Sequence, residues 1–305
     1  MFSYLIGRLI SAAVTLLVVS VVVFVVARLT GDPVRLMLPI EASNDEVARV
    51  RHDLGLDQPL PVQYVTFVAR ALRGDLGSSL RYQQPALSII LGRLPATAIL
   101  AAAAMTIALV IAIPAGIISA ARPGGLADGT ARTVSLLGQA LPAYWLGIML
   151  IIVFAVWLRW LPAAGASSPS SVVLPAVTLG LWPTARISRV LRASLLEALH
   201  GDYVRTARAK GLGESRVVLQ HALRNALLPA ITVVGLSFGV VFGGAIITET
   251  VFAWPGVGRL LLDAVSQRDF PLVQAIVLTF SVLFLLINLG VDLLYGALDP
   301  RVRLS

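Results

Sequence analysis

YVRTARAKGLGESRVVLQHALRNALLP, residues 203–229, separates two long apolar runs of this chain. A connection between two such runs needs little length and almost any polar composition. This one is organised. An Ala- and Arg-rich block is followed by Gly211-Leu212-Gly213, a second helix-compatible block and Pro229. Residues 195–210 are helix-compatible apart from Gly201. Lys210 falls in the last turn, where a cation complements the carbonyl end, and Gly211 is placed for a left-handed cap. Gly213 and Glu214 open the second helix, Glu being favoured there by the helix dipole. The expected form is helix, tight turn, helix. Its tip interleaves Arg205, Arg208 and Lys210 with the small or apolar Ala207, Ala209 and Leu212. Small residues permit close approach and arginines offer paired hydrogen bonds, so a docking surface for a soluble partner is one reading. Charge that only sets topology is the other.

Composition places the segment in a membrane protein. Of 305 residues, 57% are hydrophobic and only 13% charged, against about 25% for a soluble domain. Mean hydropathy is +0.87. The absence of cysteine excludes disulfides, thiol nucleophiles and thiolate-held clusters. The net charge of +8 raises nucleic acid as a partner. That reading is set aside, because much of the excess sits in one loop between spans, where positive charge has a topological cause.

Five runs are long enough to cross a bilayer, at 9–27, 94–121, 133–158, 225–248 and 270–291. A weaker sixth, 172–191, contains Pro175 and Pro183. Arg186, Arg189 and Arg192 enter at its far end, at a spacing that lets them snorkel along one helical face. With six spans and the N-terminus inside, the inner segments hold 13 basic residues and the two short outer loops hold Arg159, Arg259 and Arg268. Deleting the sixth run would put the basic cluster outside, against the positive-inside rule. Six spans with both termini cytoplasmic are therefore expected. The first apolar run is longer than a signal-peptide core and no small-residue cleavage site follows, so it is read as an uncleaved anchor. The organisation expected is an anchor helix at 1–29, an extracytoplasmic subdomain at 30–93, and a core at 94–305 carrying the loop 195–224.

The segment 30–93 balances seven basic and seven acidic residues. Tyr64, Phe67, Val68 and Ala71 recur at helical spacing, and Gly31-Asp32-Pro33 and Gly74-Asp75 signal turns. Between the last two spans, Trp254-Pro255-Gly256-Val257-Gly258 reads as a turn before an amphipathic stretch. Glu249, Phe252, Trp254, Pro255 and Gly256 are candidates for the outer mouth of a pathway. An aromatic anchor at the headgroups explains the same residues. Glu249 and Asp292 lie near span ends; a functional intramembrane carboxylate is one reading of each, and structural pairing or N–H capture is the favoured one. Pro114, Pro142, Pro175 and Pro183 are candidates for kinks.

The stretch Tyr203-Val204-Arg205-Thr206-Ala207-Arg208-Ala209-Lys210-Gly211-Leu212, followed by 221–229, resembles the EAA loop of binding-protein-dependent ABC import permeases. The resemblance is nearest to the first-permease branch of the dipeptide/oligopeptide/nickel family. Arg205-Thr206-Ala207 holds the place of Glu-Ala-Ala and Gly211 that of the following glycine. The segments at 4–9, 31–33, 54–60, 74–79, 249–258 and 299–303 are similar to that family in order and spacing. The resemblance implies an all-α polytopic fold of six transmembrane helices, the type I importer permease architecture. It implies a bacterial inner-membrane location, a second and different permease, two ABC ATPases and an extracytoplasmic binding protein. ATP and Mg would sit on the ATPases, and residues 203–212 would couple their motion to alternating access. Di- or oligopeptides lead as substrate, with nickel chelates, haem or another small solute as alternatives.

The chain carries no chemistry of its own by these signs. Its one lysine, Lys210, precedes Gly211, so there is no P-loop G-x-x-x-x-G-K-[ST]. His52, His200 and His221 lack metal-ligand spacing, and His52 beside Asp53 reads as a solvated pair. No catalytic group or bound cofactor is expected. A stand-alone secondary carrier would need a coupling site at mid-membrane, often between inverted repeats, and neither is evident. A non-transporting scaffold would tolerate loss of the tip.

Overall fold

A computed structural model describes residues 2–29, 34, 43–53 and 55–298. The Gly31-Asp32-Pro33 turn, Leu54 and the 299–303 segment lie outside the described residues, as does the side chain of Asp292. Among the described residues the fold is all helical, with one isolated antiparallel bridge, Ser78 to Pro85. The helices are α1 (Phe2–Leu29), α2 (Asn44–Asp53), α3 (Leu60–Leu72), α4 (Ala86–Ala121), α5 (Leu126–Ala140) and α6 (Ala143–Leu150). There follow α7 (Val173–Leu199), α8 (Asp202–Ala209), α9 (Glu214–Val251), α10 (Val257–Ser266) and α11 (Phe270–Leu298). Contacts divide the chain into two units, Met1–Pro95 with Leu260–Leu286, and Ala96–Arg259 with Ile287–Ser305.

In the first unit the amphipathic helix expected near residue 64 is α3. Its Tyr64 ring stands edge-on to Phe24 of α1 at 5.4 Å, and Phe67 lies 5.8 Å from the same ring. The Tyr64 hydroxyl also bonds Ser20 at 2.8 Å. The rest of α1 keeps its apolar side chains outward, as a helix facing lipid does. Asp269 is buried and accepts the Ser79 hydroxyl, the Leu80 and Arg81 N–H groups, and the Leu272 N–H in the first turn of α11. One carboxylate thus caps α11 and holds the 79–81 turn. His52 Nδ1 lies 2.7 Å from Asp57 Oδ2. The His52 ring beside it holds the Asp57 carboxyl below the usual carboxylate range.

The second unit is built around α7, which packs against α9 and α5. Close approach comes from small residues. A Cβ on Gly180 of α7 would stand 2.6 Å from the Ala104 carbonyl of α4, and one on Gly235 of α9 would stand 2.1 Å from Val291. Such contacts let helices approach where hydrophobic burial gives no drive between them. One apolar cluster gathers Leu100, Met105, Leu179, Ile187, Val241 and Trp254. A second gathers Leu191, Leu195, Val204, Val217, Val218 and Ala226.

Helices Ile6–Leu29, Ala86–Ala121, Glu214–Val251 and Phe270–Val291 are each long and apolar enough to cross a membrane. The run expected as one span at 133–158 is instead α5 and α6 meeting at 108°. Pro142 has no N–H to continue α5 and forces the preceding Leu141 out of the helical region, to φ −76 and ψ 128. A π-helical turn, Ile151–Trp157, then completes α6. The weak run at 172–191 falls, apart from Val172, within the 27-residue α7, which continues through Pro183 and is not one of those four helices.

Candidate functional site

The segment at 203–229 forms the expected helix, turn and helix. Gly201 breaks the chain between α7 and α8, with φ −67 and ψ 148. Gly211 takes φ +77, the left-handed conformation that a side chain disfavours. Gly213 is extended, and Glu214 stands in the first turn of α9. Helix α8 is fastened through one face. Val204 and Ala207 are buried against Leu191 and Leu195 of α7 and Val217, Val218 and Ala222 of α9, with Leu212 half-buried beside them. Tyr203, Arg205, Thr206, Arg208, Ala209, Lys210 and Gly211 are exposed. Short as it is, α8 is therefore held as part of a three-helix wedge rather than as a free loop.

Arg208 has a partner within the segment itself. It forks onto Glu214 across the turn, with Nη2–Oε1 2.6 Å and Nε–Oε2 3.1 Å. The pair raises the affinity of the guanidinium for its proton above the ordinary arginine value. Arg208 thus closes the tip on itself. Arg205 lies 3.6 Å from Asp202, both nearly fully exposed, a contact too long and too wet to hold it. Arg205 and Lys210 remain available at the tip, beside Thr206 and Ala209.

Three arginines of α7 were expected to snorkel along one face. Arg192 does not. Its guanidinium is bidentate to the buried Asp128 of α5, at 2.7 and 2.9 Å, and also donates to Ser119 of α4. Asp128 further accepts the Ser119 hydroxyl and the Gly124 N–H at 2.9 Å. This network joins α4, α5 and α7. Asp128 drew no attention in the sequence, because nothing local distinguishes it from a solvated acid. A lone acid in an apolar-flanked segment 64 residues from an arginine gives too weak a signal.

The residues proposed for an outer mouth lie in the interior of the second unit. Glu249 and Phe252 are fully buried, Trp254 and Gly256 nearly so, and Pro255 partly. Glu249 Oε1 accepts the Thr97 hydroxyl at 2.6 Å, and Oε2 accepts the Arg259 N–H at 2.9 Å. Thr97 in turn accepts the Val257 N–H at 2.9 Å. Trp254 Nε1 donates to the Ala96 carbonyl at 2.9 Å, so its indole is a core group and not a headgroup anchor. Glu249 is thus an N-terminal cap for α10 delivered from α9. Gly256 is required beside it: a Cβ there would stand 2.1 Å from the carboxylate.

Among the described residues no cluster of His, Cys, Asp and Glu could hold a metal.

This is the framework of a helical membrane permease with a fixed, basic wedge at one end. Residues 112–304 match the family described as binding-protein-dependent transport system inner membrane component, and 1–101 its N-terminal family. The chain belongs to that family and is a permease of a binding-protein-dependent ABC importer of the peptide type. It is 46% identical over 99% of both chains to a glutathione transport system permease protein GsiC of Pectobacterium atrosepticum. It is 45% identical, with the same coverage, to that of Escherichia coli. Among solved structures, a chain of the inward-facing MetNI methionine ABC transporter matches with TM-score 0.60 at 18% identity, over 69% of this chain and 96% of that one. An amino acid ABC transporter matches with TM-score 0.55 at 14% identity, over 69% and 94%. These likenesses agree with the all-α type I permease fold. Such permeases are multi-pass inner-membrane subunits and are not catalytic by themselves.

Proposed function

We propose that this chain imports short peptides as one of two different permease subunits, and that the α8 wedge couples it to an ATPase. The observation that carries the reading is the wedge itself. Val204 and Ala207 root it in α7 and α9, while the Arg208–Glu214 fork stiffens its turn. A push on the exposed Arg205, Thr206 and Lys210 is then transmitted to both long helices. ATP and Mg belong to the partner ATPases. For their closure to drive alternating access, the ATP state must bind one permease conformation better than the other.

In this reading the membrane is crossed six times, by α1, α4, the bent α5–α6 pair, α7, α9 and α11. The basic wedge and both termini are then cytoplasmic, as the positive-inside rule favours. The relatives named as glutathione permeases favour a tripeptide-sized substrate over a nickel chelate or haem. Selection would be shared with an extracytoplasmic binding protein.

The test is purification of the chain from solubilised native membranes with identification of what accompanies it. A second permease, ATPase subunits and a binding protein with affinity for glutathione or di- and tripeptides are expected. The chain recovered alone, without ATPase activity, contradicts the reading.

A further inference from the structure

Arg186 stands 13 residues from each end of α7. In the six-span reading above α7 crosses the membrane; at 27 residues it is about 40 Å long and the hydrocarbon layer about 30 Å thick, so its midpoint then falls within that layer. The Arg186 guanidinium lies 5.3 Å from the centre of the Trp182 ring, one turn earlier. Among the described residues it has no carboxylate partner and no hydrogen bond. The contrast with its neighbours is sharp. Arg192 is saturated by Asp128 and Ser119, and Arg189 donates to Gln139 of α5.

Trp182, Arg186 and Arg189 follow one another four and then three residues apart and so share one stripe of α7. Arg186 is half-buried and Arg189 exposed, whereas Pro183, Thr184, Ile187, Ser188 and Leu191 form the buried face. A cation on this stripe cannot face lipid tails without a cost of several kcal/mol, so the stripe must line water or protein. A cleft of about 190 Å³ between α5 and α7 adjoins its inner end, lined by Ser135, Gln139, Ser188 and Arg189 among others. An aromatic face can hold a guanidinium in place and leave its N–H edge free for an anion.

We infer that Arg186, fixed by Trp182, binds the carboxylate of the peptide in the translocation pathway, and that Arg189 and the adjoining cleft receive it next. The inference rests on the peptide reading above and adds a selecting residue to it. The permease itself, and not only the binding protein, would then prefer substrates with a free carboxylate.

The test uses membrane vesicles carrying the whole transporter and its unchanged binding protein. Uptake of a tripeptide is compared with uptake of its C-terminal amide, each scaled to assembled complex. Because the binding protein is the same throughout, a change in the acid-to-amide ratio belongs to the permease. Arg186→Gln is expected to lower uptake of the acid about ten-fold and to bring the ratio close to that of the binding protein alone. Arg186→Lys, which keeps a charge without the stacked plane, should retain a preference for the acid at reduced rate. It also serves if the neutral variant fails to assemble. An unchanged ratio in Arg186→Gln, whatever its rate, overturns the inference and leaves the peptide reading standing. Complete loss of the acid preference in an assembled Arg186→Lys transporter overturns it too. Wild-type vesicles that take up neither peptide overturn both.

Discussion

The guanidinium of Arg208 and the carboxylate of Glu214 meet across the Gly211 turn in a two-pronged fork, 2.6 and 3.1 Å long. The two residues close the end of the wedge that Val204 and Ala207 anchor at its base. Both side chains are about half exposed, so solvent screens the pair and it adds little to stability. Its effect is on shape. Glu214→Gln should leave membrane insertion intact and shift the melting midpoint by about 3 °C or less. Substrate moved per ATP hydrolysed should fall. Paired measurements of uptake and hydrolysis in vesicles check this.

Gly211 is the second point where the wedge is sensitive. At φ +77 a β-branched side chain costs about 1–2 kcal/mol. Space is not the obstacle, since no atom lies within 4 Å of a Cβ placed there. Gly211→Val should therefore uncouple transport more strongly than Gly211→Asn, because Asn visits the left-handed region more readily. The same paired assay ranks the two.

The cap on α10 makes a separate prediction about stability. Removing the Glu249 carboxylate leaves buried N–H groups at Arg259 and its neighbour unmet, at about 1–3 kcal/mol each. Glu249→Ala should lower the melting temperature of the detergent-solubilised protein clearly. Thr97→Val, which loses one donor and one acceptor in the same network, should lower it less. Gly256→Ala should be at least as damaging as Glu249→Ala, because its methyl group collides with the carboxylate.

The Asp128–Arg192 pair predicts non-additivity. Asp128 is almost fully buried, and Asp128→Asn leaves Arg192 without its counter-charge, a loss of about 3–5 kcal/mol. Adding Arg192→Gln should recover part of that loss, since the uncompensated charge is then gone. Thermal unfolding of the two single variants and the double variant measures the coupling.

How much of this was legible beforehand depended on range. The left-handed glycine, the break at Gly201 and the first-turn Glu214 are local effects, and each could be read from a few neighbouring residues. The helical face of α3 was equally plain from the spacing of Tyr64 and Phe67. The long-range partnerships were not. Nothing near Asp128 announces Arg192, 64 residues away; the Arg208–Glu214 fork spans only six residues, but it depends on how the Gly211 turn brings the two helix ends together. Trp254 looked like an interface residue because tryptophan favours headgroups. Its indole N–H finds the Ala96 carbonyl instead, a partner 158 residues away. Pro142 was visible as a kink candidate, but a proline in sequence gives no angle, and the bend is 108°.

The central claim is that residues 203–212 touch an ATPase. Lys210 is the only lysine in the chain and it is exposed at the tip of the wedge. An amine-reactive cross-linker applied to opened native membranes, followed by peptide mapping, therefore reports directly on that tip, with Lys210→Arg as the control. The account predicts a cross-link from Lys210 to an ATPase subunit that disappears in the control. Labelling of Lys210 from the outer face, or its cross-linking only to an extracytoplasmic protein, would contradict it.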